Sequence, residues 1–197
     1  MDEYIAISIN ALVENAKIEF DVFLKSDVNG RSNYILFCRG NQQFSPERNE
    51  ELLNRNAERL YISTKDIDKY LRYQEKNLKC IVEDSSKSSL QKSGVLYQVA
   101  KNLTQDVLDD PKSGQNIGRA STWVGNTITH IMQNENTFSS LFEDTSNDYQ
   151  TYTHSINVSV IGLLFGKYLS LTPNELECLG TGLLLHDIGK SILPQDI

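Results

Sequence analysis

The residues able to do chemistry lie close to the C-terminus, in Leu183-Leu184-Leu185-His186-Asp187-Ile188-Gly189-Lys190. Adjacent His and Asp are rarely explained by packing, because side chains at i and i+1 diverge on a regular helix. Where a helix ends they can converge, and a divalent ion is the usual reason for doing so. A neutral imidazole and a carboxylate are both good ligands for first-row divalent ions. Gly189 permits a positive φ or a close approach of backbone to ligand. Lys190 adds a cation one short turn further on, suited to a phosphate. A second imidazole, His154, lies upstream in Asp148-Tyr-Gln-Thr-Tyr-Thr-His154-Ser155. The chain has three histidines, and these two flank one stretch of apolar sequence.

That stretch must position them. Ile156, Val158, Val160, Ile161, Leu163, Leu164, Phe165 and Leu169 cover almost every side of a helix. A helix apolar all round is buried, so this one is expected at the centre of its domain. Thr172-Pro173-Asn174-Glu175 is a capping box with Pro at the first helical position. It starts a second helix carrying Leu176, Leu179, Leu183 and Leu184, which delivers His186 and Asp187. The two helices are expected to form an antiparallel hairpin that brings His154 near the Asp187 carboxylate. The purely structural alternative has His186 capping a helix, Asp187 accepting local backbone bonds and His154 as a satisfied core histidine.

The chain before this hairpin changes character once. Residues 1–84 read as a small α/β module. Ile5–Ile9 reads as a strand. Lys17–Leu24 places Ile18, Phe20, Val22 and Leu24 on one face, the period of a half-buried strand. Asn29-Gly30 signals a hairpin turn towards a strand at Asn33–Cys38. Ser45-Pro46-Glu47 opens a helix reaching about Asn56. Arg59–Ile62 reads as a strand, and Ser63 or Thr64 as the cap of one long helix bearing Ile67, Tyr70, Leu71, Leu78 and Ile81. The serine-rich Glu83–Ser89 reads as a linker or fraying join. Beyond it the spacing is helical throughout. One stripe comprises Leu96, Val99, Ala100, Leu103 and Val107, ended by Pro111. A second comprises Ile117, Ala120, Val124, Ile128 and Ile131, with Trp123 beside it. Phe138, Leu141 and Phe142 mark a short helix, Asp148 caps the next, and Pro194 ends the C-terminal segment. His130 reads as a structural histidine. The fold class is α+β: an N-terminal α/β module over 1–84, then an all-helical region over 85–197.

His154-Ser155, the apolar helix after it and Leu185-His186-Asp187-Ile188-Gly189-Lys190 up to Pro194 together resemble the start of an HD-GYP domain. This is a branch of the HD metal-dependent phosphohydrolases whose characterised members hydrolyse cyclic di-GMP. The resemblance covers roughly residues 148–197. It implies an HD-type bundle in which His154, His186 and Asp187 are metal ligands, Asp187 bridging two ions. It also implies that Lys190 faces the scissile phosphate, with Asp187 and Lys190 as the catalytic pair. The cofactors implied are divalent ions, iron or manganese favoured, two in the complete domain. Family members with a third ion carry a carboxylate four residues before the first His, where this chain has Gln150. The family's later ligands and its Gly-Tyr-Pro loop do not occur before Ile197. The 197 residues therefore read as the N-terminal portion of a cyclic di-GMP phosphodiesterase, inactive by itself, with residues 1–84 as a regulatory or interaction domain. Two other functions fit the residues: a non-catalytic signalling protein on an HD scaffold, or an HD phosphohydrolase acting on another nucleotide or a phosphomonoester.

The totals narrow the partners. A formal net charge of −7 over 197 residues argues against coating a nucleic-acid polymer. A cyclic dinucleotide substrate would instead meet locally placed cations. Cys38, Cys80 and Cys178 are scattered and odd in number, which reads as free thiols in a reducing compartment. No apolar run approaches the ~20 residues of a membrane span. These features point to a cytoplasmic protein, with an exposed helical stripe able to serve as a homodimer seam.

Overall fold

The computed structural model describes residues 3–28, 31–55, 57, 59–133 and 151–192. The chain divides into two compact units, Met1–Ile81 and Val82–Ile197. The first is a small α/β unit and the second is helical, the α+β class expected from the change in periodicity. Among the described residues no helix is long and apolar enough to cross a membrane.

The N-terminal unit contains β1 (Tyr4–Ser8), β2 (Lys17–Ile18), β3 (Val22–Val28), β4 (Arg31–Cys38), β5 (Gln42–Gln43), α1 (Pro46–Asn54), β6 (Arg59–Ser63) and α2 (Ile67–Lys76). Its main sheet has the order β1-β6-β3-β4, with antiparallel pairing throughout. Period two sorts the two faces. Ile7, Val22, Leu60 and Ile62 are buried on one. On the other, Tyr61 stands opposite both Ala6 and Phe23, and Tyr34 opposite Lys25. Tyr4 stacks on Tyr34 with ring centroids 4.0 Å apart, and Phe23 and Tyr61 add edge-on contacts. Phe20 is buried edge-on to Tyr70 and Tyr73 of α2, and the Tyr73 hydroxyl accepts a hydrogen bond from Val13 N–H at 2.9 Å.

Two expected elements are each broken in two. The strand expected over 17–24 stops at Ile18, whose partner is Gln42 in a separate two-stranded ladder. It resumes at Val22, and between them the Asp21 carboxylate accepts Gly40 N–H at 2.6 Å, which bends the chain. Ile18, Phe20 and Val22 are nonetheless all buried, so the period-two signal reported burial correctly but not continuity. The long helix expected after Ser63 is a 3₁₀ turn (Thr64–Asp66), then α2, then α3 (Leu78–Glu83). Asn77 divides α2 from α3 because its side-chain amide donates to the Tyr73 carbonyl at 2.8 Å, a local bond that competes with helix continuation. The first helix ends at Asn54, two residues short of expectation.

The helical unit contains α4 (Ser89–Asp109), α5 (Gly114–Gln133), α6 (Thr151–Tyr168), α7 (Pro173–Leu185) and a 3₁₀ turn (Ile188–Ile192). The serine-rich stretch ends as a cap rather than a linker: Ser88 and Gln91 form a capping box that starts α4. Leu96, Val99, Ala100, Leu103 and Val107 are buried, as their spacing requires. Trp123 of α5 is buried with its indole N–H donated to the Leu96 carbonyl at 2.8 Å. His130 is fully buried and within 2.9 Å of the Ser93 hydroxyl. The short helix expected near Phe138–Phe142, the turn residues Asn29-Gly30, and Asp148, Gln150 and Pro194 lie outside the described residues.

The α6–α7 hairpin is made by small residues. A Cβ at Gly162 would collide with Leu183 Cδ1, and one at Gly166 would lie 2.6 Å from Leu176 Cδ2. From the other side, a Cβ at Gly180 would lie 2.7 Å from Leu163 and 2.8 Å from Val124. The Ser159 hydroxyl crosses the seam to donate to the Gly180 carbonyl at 2.8 Å. The capping box at Thr172 and Glu175 starts α7 as expected. α6 is not buried on every side, however. Ile161 and Phe165 are 48% and 59% exposed, and Tyr168 and Leu169 continue that open flank. Its apolar composition overstated its burial because Ser159, Gly162 and Gly166, not only the large residues, form the packed side.

Two stability measurements test this packing. Gly180→Val places a branched side chain against two other helices and is expected to cost about 1–3 kcal/mol by overpacking. Gly182→Ala, where a Cβ meets nothing within 4 Å, is expected to add up to about 1 kcal/mol through helix propensity. Urea midpoints of opposite sign check the pair; equal effects would show that Gly180 is not a packing contact. The second measurement concerns His130, whose imidazole is pushed by burial, aided by the nearby Lys92 ammonium, from 6.5 down to about 4. The unfolded chain therefore binds the proton more readily than the folded one. Stability should be fully present above pH 6.5 and decline as pH falls through 4. In His130→Gln this component of the pH dependence should vanish from urea midpoints taken between pH 7 and 4.

Candidate metal centre

His154 stands in the first turn of α6, and His186 is the C-cap residue of α7. Because the helices run antiparallel, the start of one lies beside the end of the other. One ligand atom from each of His154, His186 and Asp187 can be chosen so that all three lie within 4.8 Å of one another. The three approach a single oxygen. Asp187 Oδ2 lies 3.3 Å from His186 Nε2, 4.0 Å from His154 Nε2 and 2.7 Å from Lys190 Nζ. The two imidazole rings meet edge-on, with centroids 5.4 Å apart.

Local structure explains the convergence. α7 stops at Leu185, and the chain tightens into a 3₁₀ turn in which Lys190 N–H donates to the Asp187 carbonyl at 2.9 Å. Residues three apart eclipse one another in such a turn, so Lys190 stands over Asp187. His186 Nδ1 lies 2.7 Å from the Leu183 carbonyl. A carbonyl only accepts, so Nδ1 carries the proton. This contact caps the end of α7, the role that the purely structural alternative gave His186. Of the two roles open to Gly189, a positive φ or a close backbone approach to a ligand, the first is not used. The structure shows no positive φ there, and a Cβ would meet nothing within 4 Å.

The donor set fits a divalent ion. With Nδ1 bonded to the Leu183 carbonyl, His186 turns its Nε2 towards the Asp187 carboxylate. Nε2 and Oδ2 face each other at 3.3 Å, a spacing at which both could ligate one divalent ion. An imidazole fixed through its other nitrogen is the usual preparation of a metal ligand. The ligand separations are close to those around one ion with bonds of ~2.0–2.2 Å, and a small side-chain movement would complete the fit. Asp187 is held ready as the anion. The hydrogen bond from Lys190 draws its carboxyl below the usual range, partial burial opposes this, and the charges of His186, Lys190 and His154 lower it further. His154 is exposed and Asp187 half-buried, so the cluster is open to solvent. His130, the third histidine, is held in the core with Ser93 and is not part of the cluster.

No family model matches the chain. It is similar to a cyclic di-GMP phosphodiesterase of Pseudomonas aeruginosa, 29% identical over 107 residues, covering 53% of this chain and 26% of that protein. The matched segment thus spans about a quarter of the curated relative's length. The fold resembles that of an HDG"Y"P protein from Bdellovibrio bacteriovorus, with a TM-score of 0.59 and 24% identity, over 98% of this chain and 62% of that one. That likeness shows the fold. The curated relative agrees with the resemblance to HD-GYP domain proteins carried by His154-Ser155 and His186-Asp187-Ile188-Gly189-Lys190.

Proposed function

We propose that the helical unit supplies ligands of a metal centre for hydrolysis of a cyclic dinucleotide, cyclic di-GMP, by metal-activated water. The observation that carries this reading is the meeting of His154, His186 and Asp187 from opposite ends of one hairpin. His154, His186 and Asp187 act as metal ligands, Asp187 with its second oxygen available to bridge. Lys190 offers an ammonium to the phosphate. Bound divalent ions, iron or manganese by the resemblance and two in number, would lower the pKa of water and clamp the phosphoryl oxygens. The similarity to a cyclic di-GMP phosphodiesterase supports the substrate class.

The N-terminal unit is proposed as the regulatory or interaction part. Among the described residues it contains no cluster of three potential metal ligands. The three free cysteines agree with a reducing, cytoplasmic setting, and self-association through the helical unit is the proposed assembly. One observation favours a non-catalytic reading as the alternative: Lys190 already neutralises Asp187 at 2.7 Å, so the cluster can persist as a purely structural ion pair.

Metal analysis and an assay distinguish the two. The described residues offer three ligands, enough for most of one coordination shell but not for two ions. The 197-residue chain is therefore expected to bind Mn²⁺ weakly and to release no linear dinucleotide from cyclic di-GMP. His154→Ala and Asp187→Ala should each weaken Mn²⁺ binding by about 10-fold or more, the scale on which even outer-shell partners act. Turnover by this chain, lost on Asp187→Ala, would show that three ligands suffice. Absence of any Mn²⁺ binding would favour the structural ion pair.

A further inference from the structure

Lys190 and the two imidazoles compete for one atom. Lys190 Nζ, His186 Nε2 and His154 Nε2 lie 2.7, 3.3 and 4.0 Å from the same oxygen, Asp187 Oδ2. The ammonium is the nearest of the three, and the 3₁₀ turn sets Lys190 three residues from Asp187, where Lys190 N–H also bonds the Asp187 carbonyl. Oδ2 is the Asp187 oxygen that both imidazoles approach, and an ion held by the imidazoles and Oδ2 would share that oxygen with the ammonium. It would then stand close to the ammonium, where like charges repel.

We propose that Lys190 is the resident counter-ion of Asp187 and a built-in competitor of the divalent ion, so that loading the metal and releasing the Lys190 ammonium are one event. This rests on the metal-centre reading above and adds a device to it. Without a metal, the ammonium neutralises the carboxylate that faces His186 Nε2. Once displaced, the same ammonium is free, on a flexible four-carbon stem, to meet an anionic group beside the metal. The phosphate-facing cation would thus become available only when the metal is in place. Lys190 is a positioning residue here: it acts through Asp187.

The test uses the full 197-residue chain with Mn²⁺ alone, followed by calorimetry. Lys190→Met should tighten Mn²⁺ binding by about 2- to 10-fold, the scale an exposed ion pair and its lost repulsion support. Lys190→Arg, which keeps the charge and can hold the same oxygen, should bind no more tightly than the parent. Labelling of Lys190 by an amine-reactive ester, read by peptide mass spectrometry, gives a readout independent of affinity. It should rise severalfold on saturation with Mn²⁺, and should already be high without metal in Asp187→Asn. If Lys190→Met binds Mn²⁺ as weakly as the parent, or more weakly, and labelling is indifferent to Mn²⁺, the competition is refuted while the metal centre stands. If no variant binds Mn²⁺, the metal-centre reading fails and this inference fails with it.

Discussion

The candidate centre depends on how closely two helices can approach. α6 and α7 meet through Gly162, Gly166 and Gly180, with leucine ends in the space a Cβ would take. Only at that separation can the Ser159 hydroxyl reach the Gly180 carbonyl and the first turn of one helix stand level with the last residue of the other. Larger residues along the seam would push the helices apart. His154 and Asp187 are joined by nothing shorter than this hairpin, so a wider seam would separate them too. The packing and the chemistry are therefore set by the same few small side chains.

Charge completes what packing begins. Asp187 draws three nitrogen groups towards one oxygen, and the Leu183 carbonyl decides which nitrogen of His186 turns towards it. A lone imidazole near a carboxylate would be free to flip or to act as donor. Anchored through Nδ1, it instead presents Nε2 to the carboxylate. Lys190 supplies a positive charge to the same carboxylate within the same turn. The cluster thus gathers two imidazoles, a carboxylate and an ammonium at one point.

Much of this was legible in the sequence, and the failures have physical causes. Capping signals are local, so the Thr172 box located the start of α7 to the residue. Apolar periodicity identified the buried stripe of α4 for the same reason. Where side chains bond to backbone, whether near or far along the chain, the reading failed. Asn77 splits a helix through its amide, and Asp21 bends a strand through Gly40. The capping box at Ser88 was hidden in a serine-rich run whose composition suggested a linker. α6 shows a different limit: hydrophobicity counts large residues, whereas glycine and serine share its contact face with Ile156, Val160 and Leu163. At the site, residue types could be read, but the three-residue closure placing Lys190 on Asp187 needed the 3₁₀ geometry.

Trp123 is the only tryptophan in the chain, and it is buried in the helical unit with its indole nitrogen bonded to the Leu96 carbonyl. The N-terminal unit carries tyrosines, including the stacked Tyr4 and Tyr34, but no tryptophan. The molecule is in effect labelled optically by nature. Light emitted by indole reports the state of the α4–α5 core and of nothing in the sheet. The melting of the helical unit can be followed in the intact chain without introducing a probe into it.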